Sequence, residues 1–162
     1  MSIVFSDEQI QALIEEPKPL PADYRNRLAL RNKRGHRSQA LIVRGTGDHE
    51  FHLILRQSMT NALNFSVILG VTVPGTNRVF RLRRYNSQTH PHTNSLERST
   101  IIYKPHVHRA TARYQEVGTA EEAFAEPTER FSTLTEAVDC MLRESGFILP
   151  EGAQLGLFEE MT

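Results

Sequence analysis

A chain of 162 residues, 39% hydrophobic and 23% charged, is long enough to bury a core and too ordinary in composition for a fibrous or low-complexity protein. No apolar run reaches the ~18–20 residues of a membrane helix, so no membrane partner is expected, and a single cysteine, Cys140, excludes an intrachain disulfide. The net charge of zero conceals an uneven spread: sixteen of the 19 basic residues fall within 24–114, against three acids, while eleven acids follow from Gln115 onward. The opening MSIVFSDEQI lacks the basic-then-apolar layout of a secretory signal, and with the lone thiol it sets the expectation of a cytoplasmic protein.

Residues 6–16 have Ser6 placed to cap a short helix, with Gln9 reaching back and Ile10, Leu13 and Ile14 as its apolar stripe. Pro17, Pro19 and Pro21 then start an extended linker. RLALRNK, QALIVR and EFHLILRQ read as strands, with GTGD (45–48) as the hairpin between the last two. The nearly unbroken apolar NFSVILGVTV (64–73) predicts a central strand buried on both faces. PGTN (74–77) turns the chain into RVFRLRRYN, where alternation points Phe80 and Leu82 inward and Arg81, Arg83 and Tyr85 outward. A polar loop over 87–100, a returning strand in STIIYKPHVHR interrupted or edged by Pro105, and a helical turn in TAEEAFAE follow. Thr133 with Glu136 caps a last helix that buries Leu134, Ala137, Val138, Met141 and Leu142 on one face, with Cys140 beside it as a small buried thiol and Gly146 as its stop. The expected fold is α+β: one domain over 1–148 with a twisted, mainly antiparallel sheet of five or six strands and a helix near each end, then an acidic tail over 149–162.

Four of the seven histidines, His90, His92, His106 and His108, form two H-x-H pairs among arginines, asparagines and phenols. On a strand, residues i and i+2 face the same way, so each pair can present both rings together. Three readings stand. The four imidazoles hold a divalent metal such as zinc. Alternatively they exchange protons with a phosphodiester while Arg84 or Arg109 steadies the charge on phosphorus. Or they are hydrogen-bonding residues of a binding module. Arg81, Arg83, Tyr85, Asn86, Asn94, Arg113 and Tyr114 are the candidate substrate contacts around them, since arginine and tyrosine in an outward row suit phosphates and bases. His36 and His52 read as ordinary strand histidines.

The string RYN-x-x-x-H-x-HTN followed by H-x-H-x-A-T-x-R-Y-Q resembles a family of small uncharacterised bacterial proteins over Arg84 to Gln115. The resemblance implies a bacterial, phage or mobile-element setting, where small proteins are often toxins or defence factors; it supplies no catalytic residues. In the tail, QLGLF (Gln154, Leu155, Gly156, Leu157, Phe158) resembles the bacterial sliding-clamp binding pentapeptide, which implies that Leu157 and Phe158 enter an apolar pocket while Gln154 fixes register. The rival reading packs Leu155, Leu157 and Phe158 back onto the domain. Two functional expectations follow: a nuclease-like enzyme of the ribonuclease toxin or defence type, with RNA the favoured partner, or a non-catalytic nucleic-acid or clamp-binding adaptor. A protein inhibitor in phage–host conflict is the third.

Overall fold

Two capping boxes frame the fold in the computed structural model, which describes residues 3–89, 91–101 and 103–151. Ser6 caps helix α1 (Asp7–Glu15), its side chain accepting from the Gln9 amide while Gln9 bonds back to the Ser6 amide. Thr133 and Glu136 repeat the device at the last helix, α4 (Leu134–Glu144). Between them lie β1 (Lys18–Pro19), α2 (Tyr24–Arg27), β2 (Arg31–Asn32), β3 (His36–Arg44), β4 (Glu50–Ser58), β5 (Phe65–Thr72), β6 (Val79–Asn86), β7 (His92–Asn94), β8 (Ser99–Ile101), β9 (His106–Arg109), α3 (Ala112–Glu116) and β10 (Phe124–Pro127), and β11 (Phe147–Ile148) follows α4. The fold is α+β, a single compact domain.

Its centre is a seven-stranded sheet in the order β10-β9-β6-β5-β4-β3-β2, antiparallel at every pairing. The apolar β5 is the middle strand, as its composition predicts. Leu41 and Val43, with Phe51, Leu53 and Leu55, alternate onto one face, and α1 and α4 cover that face with Ile10, Leu13, Ile14, Ala137, Val138 and Met141. Cys140 is buried and free. No helix among the described residues is long and apolar enough to cross a membrane.

Five expectations need correction. RLALRNK is not a strand: Tyr24 and Leu28, four apart, bury on one side of the short helix α2, and only Arg31–Asn32 pairs in the sheet. The segment 87–100 is not wholly loop, because β7 and β8 form a hairpin. STIIYKPHVHR is interrupted before His106, as Pro105 leads one to expect, but its two strands, β8 and β9, belong to different sheets. TAEEAFAE makes no helix; its end pairs with β9, Ala125 opposite His108. The fifth lies in β6, where the register against β5 slips at Leu69/Gly70, leaving Leu82 as an extra residue. That bulge turns Arg83 and Tyr85 toward α4 and leaves Arg84 and Asn86 on the outer face. Tyr85 is therefore core: it stacks on Phe131 at 5.3 Å and its hydroxyl donates to Glu144.

Gly146 ends α4 with φ 77°, where a side chain is strained, and a Cβ would lie 2.6 Å from the Glu16 carbonyl oxygen. Gly146→Ala is expected to cost about 2 kcal/mol in urea unfolding, from the backbone conformation and the clash together.

Candidate functional site: a histidine trio on the outer sheet face

Cross-strand register places the site. On the sheet face opposite the helices, one row runs Ala40, Ile54, Ile68, Arg84, His108, Ala125. The next runs Ser38, Arg56, Ser66, Asn86, His106, Pro127. His106 and His108 thus share a face, as the i, i+2 spacing predicts. The β7–β8 hairpin folds over them and brings His92 into contact: ring centroids are 4.6 Å from His92 to His108, 5.0 Å from His106 to His108 and 5.8 Å from His92 to His106. His90 lies outside the described residues.

Each ring is held by one N–H. His108 Nδ1 donates to the Glu122 carbonyl at 2.8 Å, and its Nε2 accepts from the Asn86 amide at 3.3 Å. His106 Nδ1 donates to the Lys104 carbonyl at 2.9 Å, and His92 Nε2 donates to Asn94 Oδ1 at 3.0 Å. Carbonyl acceptors fix one tautomer for each neutral ring. His106 and His108 are each only 2% exposed, whereas His92 is half-buried and forms the open side of the trio. Burial, then the nearby Arg84 guanidinium and the two other imidazoles, pull the His108 pKa down to about 3, so this ring is neutral at physiological pH.

The residues of the RYN…HTN…ATxRYQ string hold the trio in place. The buried Asn94 amide mimics a strand: Oδ1 accepts from the Ala125 amide at 2.8 Å and Nδ2 donates to the Ala125 carbonyl at 2.7 Å, docking the hairpin on the edge strand β10. Thr111 caps α3, which sets Tyr114 and Arg113 on the hairpin turn; the Tyr114 hydroxyl donates to Glu97 at 2.6 Å and Arg113 pairs with the same carboxylate at 2.6 Å. The Tyr114 hydroxyl, followed by Arg113, holds the Glu97 carboxyl below its usual range. Gln115 ties α3 to the N-terminus, accepting from the Val4 amide and donating to the Phe5 carbonyl, both at 2.8 Å. Asn94→Ala is expected to leave both Ala125 groups and His92 without partners. The expected cost is about 3 kcal/mol, seen as faster amide exchange confined to the hairpin and β10.

The other selected residues are dispersed. Arg81 and Arg84 are not open phosphate clamps: both pair with the fully buried Glu122, at 3.1 and 3.7 Å, and Arg81 also approaches Glu121. Arg83 donates to the Glu144 carbonyl and Ser145 on the helix side. Arg109 alternates away from the histidines and lies over Phe124 at 5.8 Å. Tyr85, Asn94 and Tyr114 are buried, so they support the site without lining it. Gln154, Leu155, Leu157 and Phe158 lie outside the described residues. What the sequence reading missed is a different set of cations. Arg31, Lys33, Arg34 and Arg56 are exposed and make no ion pair among the described residues. The run RNKRGHR was the available signal.

Zinc is a specific test of the trio. Three imidazoles on a tetrahedral zinc would set their centroids about 5 Å apart, and these rings have that spacing. The surroundings do not fit: an Asn86 N–H faces Nε2 of His108, and the Arg84 guanidinium stands beside it. No group of three or more His, Cys, Asp or Glu among the described residues is arranged to hold a metal ion. Comparison with protein-family models, curated proteins and solved structures returned no match for this chain.

Proposed function

We propose that the protein processes nucleic acid and that the histidine trio is a proton-transferring centre for phosphodiester cleavage, with RNA the favoured substrate. The observation that supports this reading is the convergence of His92, His106 and His108 from two distant segments, ring against ring, each with its tautomer fixed. His92, on the open side, meets the substrate and takes the 2′-hydroxyl proton as that oxygen attacks phosphorus. The leaving 5′-oxygen takes a proton from water, His92 gives its own proton back to solvent, and the products are a 2′,3′-cyclic phosphate and a free 5′-hydroxyl. His106 and His108 are positioning residues behind it. Lys104, exposed and with its carbonyl bonded to His106, is assigned to hold the substrate phosphate.

The test is digestion of end-labelled single-stranded RNA and DNA, with and without added magnesium or zinc. The expected result is RNA cleavage leaving cyclic phosphate ends, lowered at least 100-fold by His92→Gln in a folded protein. A wild type inert on every substrate under all conditions overturns the enzyme. A second reading, a non-catalytic nucleic-acid adaptor, rests on how little of His106 and His108 solvent reaches; it expects binding without turnover. Recruitment of a sliding clamp through Gln154–Phe158 belongs to that reading.

A further inference from the structure

Among the described residues no element covers the outer sheet face over β3 to β5, and its surface is not neutral. Two adjoining depressions of about 520 and 320 Å3 meet there, sharing His36 and Arg56. The floor of the larger is apolar, with Ile54, Ile68 and Val79, the smaller is lined mainly by polar residues, and no acidic side chain among the described residues lines either one. Cations stand on the rim. Lys33 and Arg56 line the larger depression, Arg31 is exposed on β2, and Arg34 lies in the exposed β2–β3 turn, closed by the Lys33 amide on the His36 carbonyl at 2.7 Å. Elsewhere in the chain Arg44, Arg78, Arg113 and Arg130 are each paired with a carboxylate. Arg98, Lys104, Arg109 and Arg143 also have no carboxylate partner among the described residues, but none of them lines either depression.

We infer that this groove binds a single strand of nucleic acid, phosphates against Lys33, Arg56, Arg31 and Arg34, base faces over Ile54, Ile68 and Val79. The inference rests on the proposed function and adds the path by which substrate reaches the histidines. The occupant follows from the lining. A polymer that alternates fixed negative charge with flat, weakly polar faces satisfies both rim and floor, whereas an acidic peptide presents charge without such faces. The path is continuous: Arg56 and His106 share a cross-strand row, as do Ile54 and His108. From β4 to β9 is three strand spacings, about 14 Å, so a strand lying across the sheet runs from the cations to the trio within a few nucleotides. Duplex would need its bases paired away from that floor.

The experiment is fluorescence anisotropy of the full chain with a labelled single-stranded RNA and the matching DNA, repeated across salt concentrations. The wild type is expected to bind with a steep salt dependence. Arg56→Glu with Lys33→Glu should weaken binding at least tenfold and flatten the log–log salt slope by about 1.4, for two lost contacts at ~0.7 each. Arg143→Glu, on α4 across the sheet, should leave both unchanged. Unaltered melting temperatures show that these surface variants remain folded. Binding that survives the double reversal, or that polyglutamate competes away as well as unlabelled RNA, overturns the groove while leaving the nuclease reading standing. A wild type that neither binds nor cleaves nucleic acid removes both.

Discussion

Replacing Lys18 by methionine is expected to destabilise the protein by about 4 kcal/mol, lowering its melting temperature by roughly 10 °C. Lys18 is 0% exposed, yet its ammonium donates to four backbone carbonyls: Leu13 at 2.9 Å, Ile14 and Glu16 at 2.8 Å and Ser145 at 2.7 Å. Three of these oxygens end α1 and the fourth ends α4, so one side chain closes the C-termini of both helices. The ammonium also lies over the Phe51 ring, 4.3 Å from its centroid. Burial draws its pKa down to about 8, against the pull of Glu16, and it remains charged at neutral pH. Methionine fills the same volume with no N–H, which leaves buried carbonyls unsatisfied. Urea unfolding of the two proteins at pH 7 measures the difference. A loss under 1 kcal/mol would show that water replaces the ammonium and that the junction of the two helices is not closed.

Lys18 also illustrates what local pattern shows and what it does not. The apolar stripe Ile10, Leu13, Ile14 and both capping boxes are readable because each is written within a few residues. So are the hairpin at GTGD and the central place of the apolar strand β5. The partners of Lys18 are not, since Ser145 lies 127 residues away. Tyr85 misleads for a related reason: alternation gives the face of a strand residue only while no extra residue intervenes, and Leu82 is that residue. For the site, H-x-H spacing correctly places His106 and His108 on one face. That His92 meets them depends on Asn94 docking a hairpin against β10, a contact across 31 residues. Charge was read in part. The acids after Gln115 neutralise Arg78, Arg81 and Arg84 through Glu121 and Glu122, so a dense basic string is not by itself an exposed basic surface. Arg31, Lys33, Arg34 and Arg56, in a less conspicuous stretch, keep their charge open to solvent.

His108 should make the fold acid-sensitive in a window where few other groups titrate. Its folded-state pKa is about 3, against 6.5 for the free side chain, with burial the leading cause and Arg84 next. Above pH 6.5 neither folded nor unfolded chain protonates it. Between 6.5 and 3 the unfolded chain takes up a proton that the folded one refuses, so stability falls as pH falls through that window. At 1.36 kcal/mol per unit the full loss is on the order of 5 kcal/mol, of which about 2 kcal/mol falls between pH 6.5 and pH 5, before most carboxylates titrate. His108→Gln removes the titrating group: its stability at pH 7 is expected to be lower than wild type, and its decline from pH 7 to pH 5 shallower by about 2 kcal/mol. Urea melts at each pH give the slope, and the ring-proton NMR shift of His108 reports its protonation in the folded state directly. A native His108 that titrates near 6.5 would mean solvent reaches the ring, and the trio would then hold two exposed imidazoles in place of one.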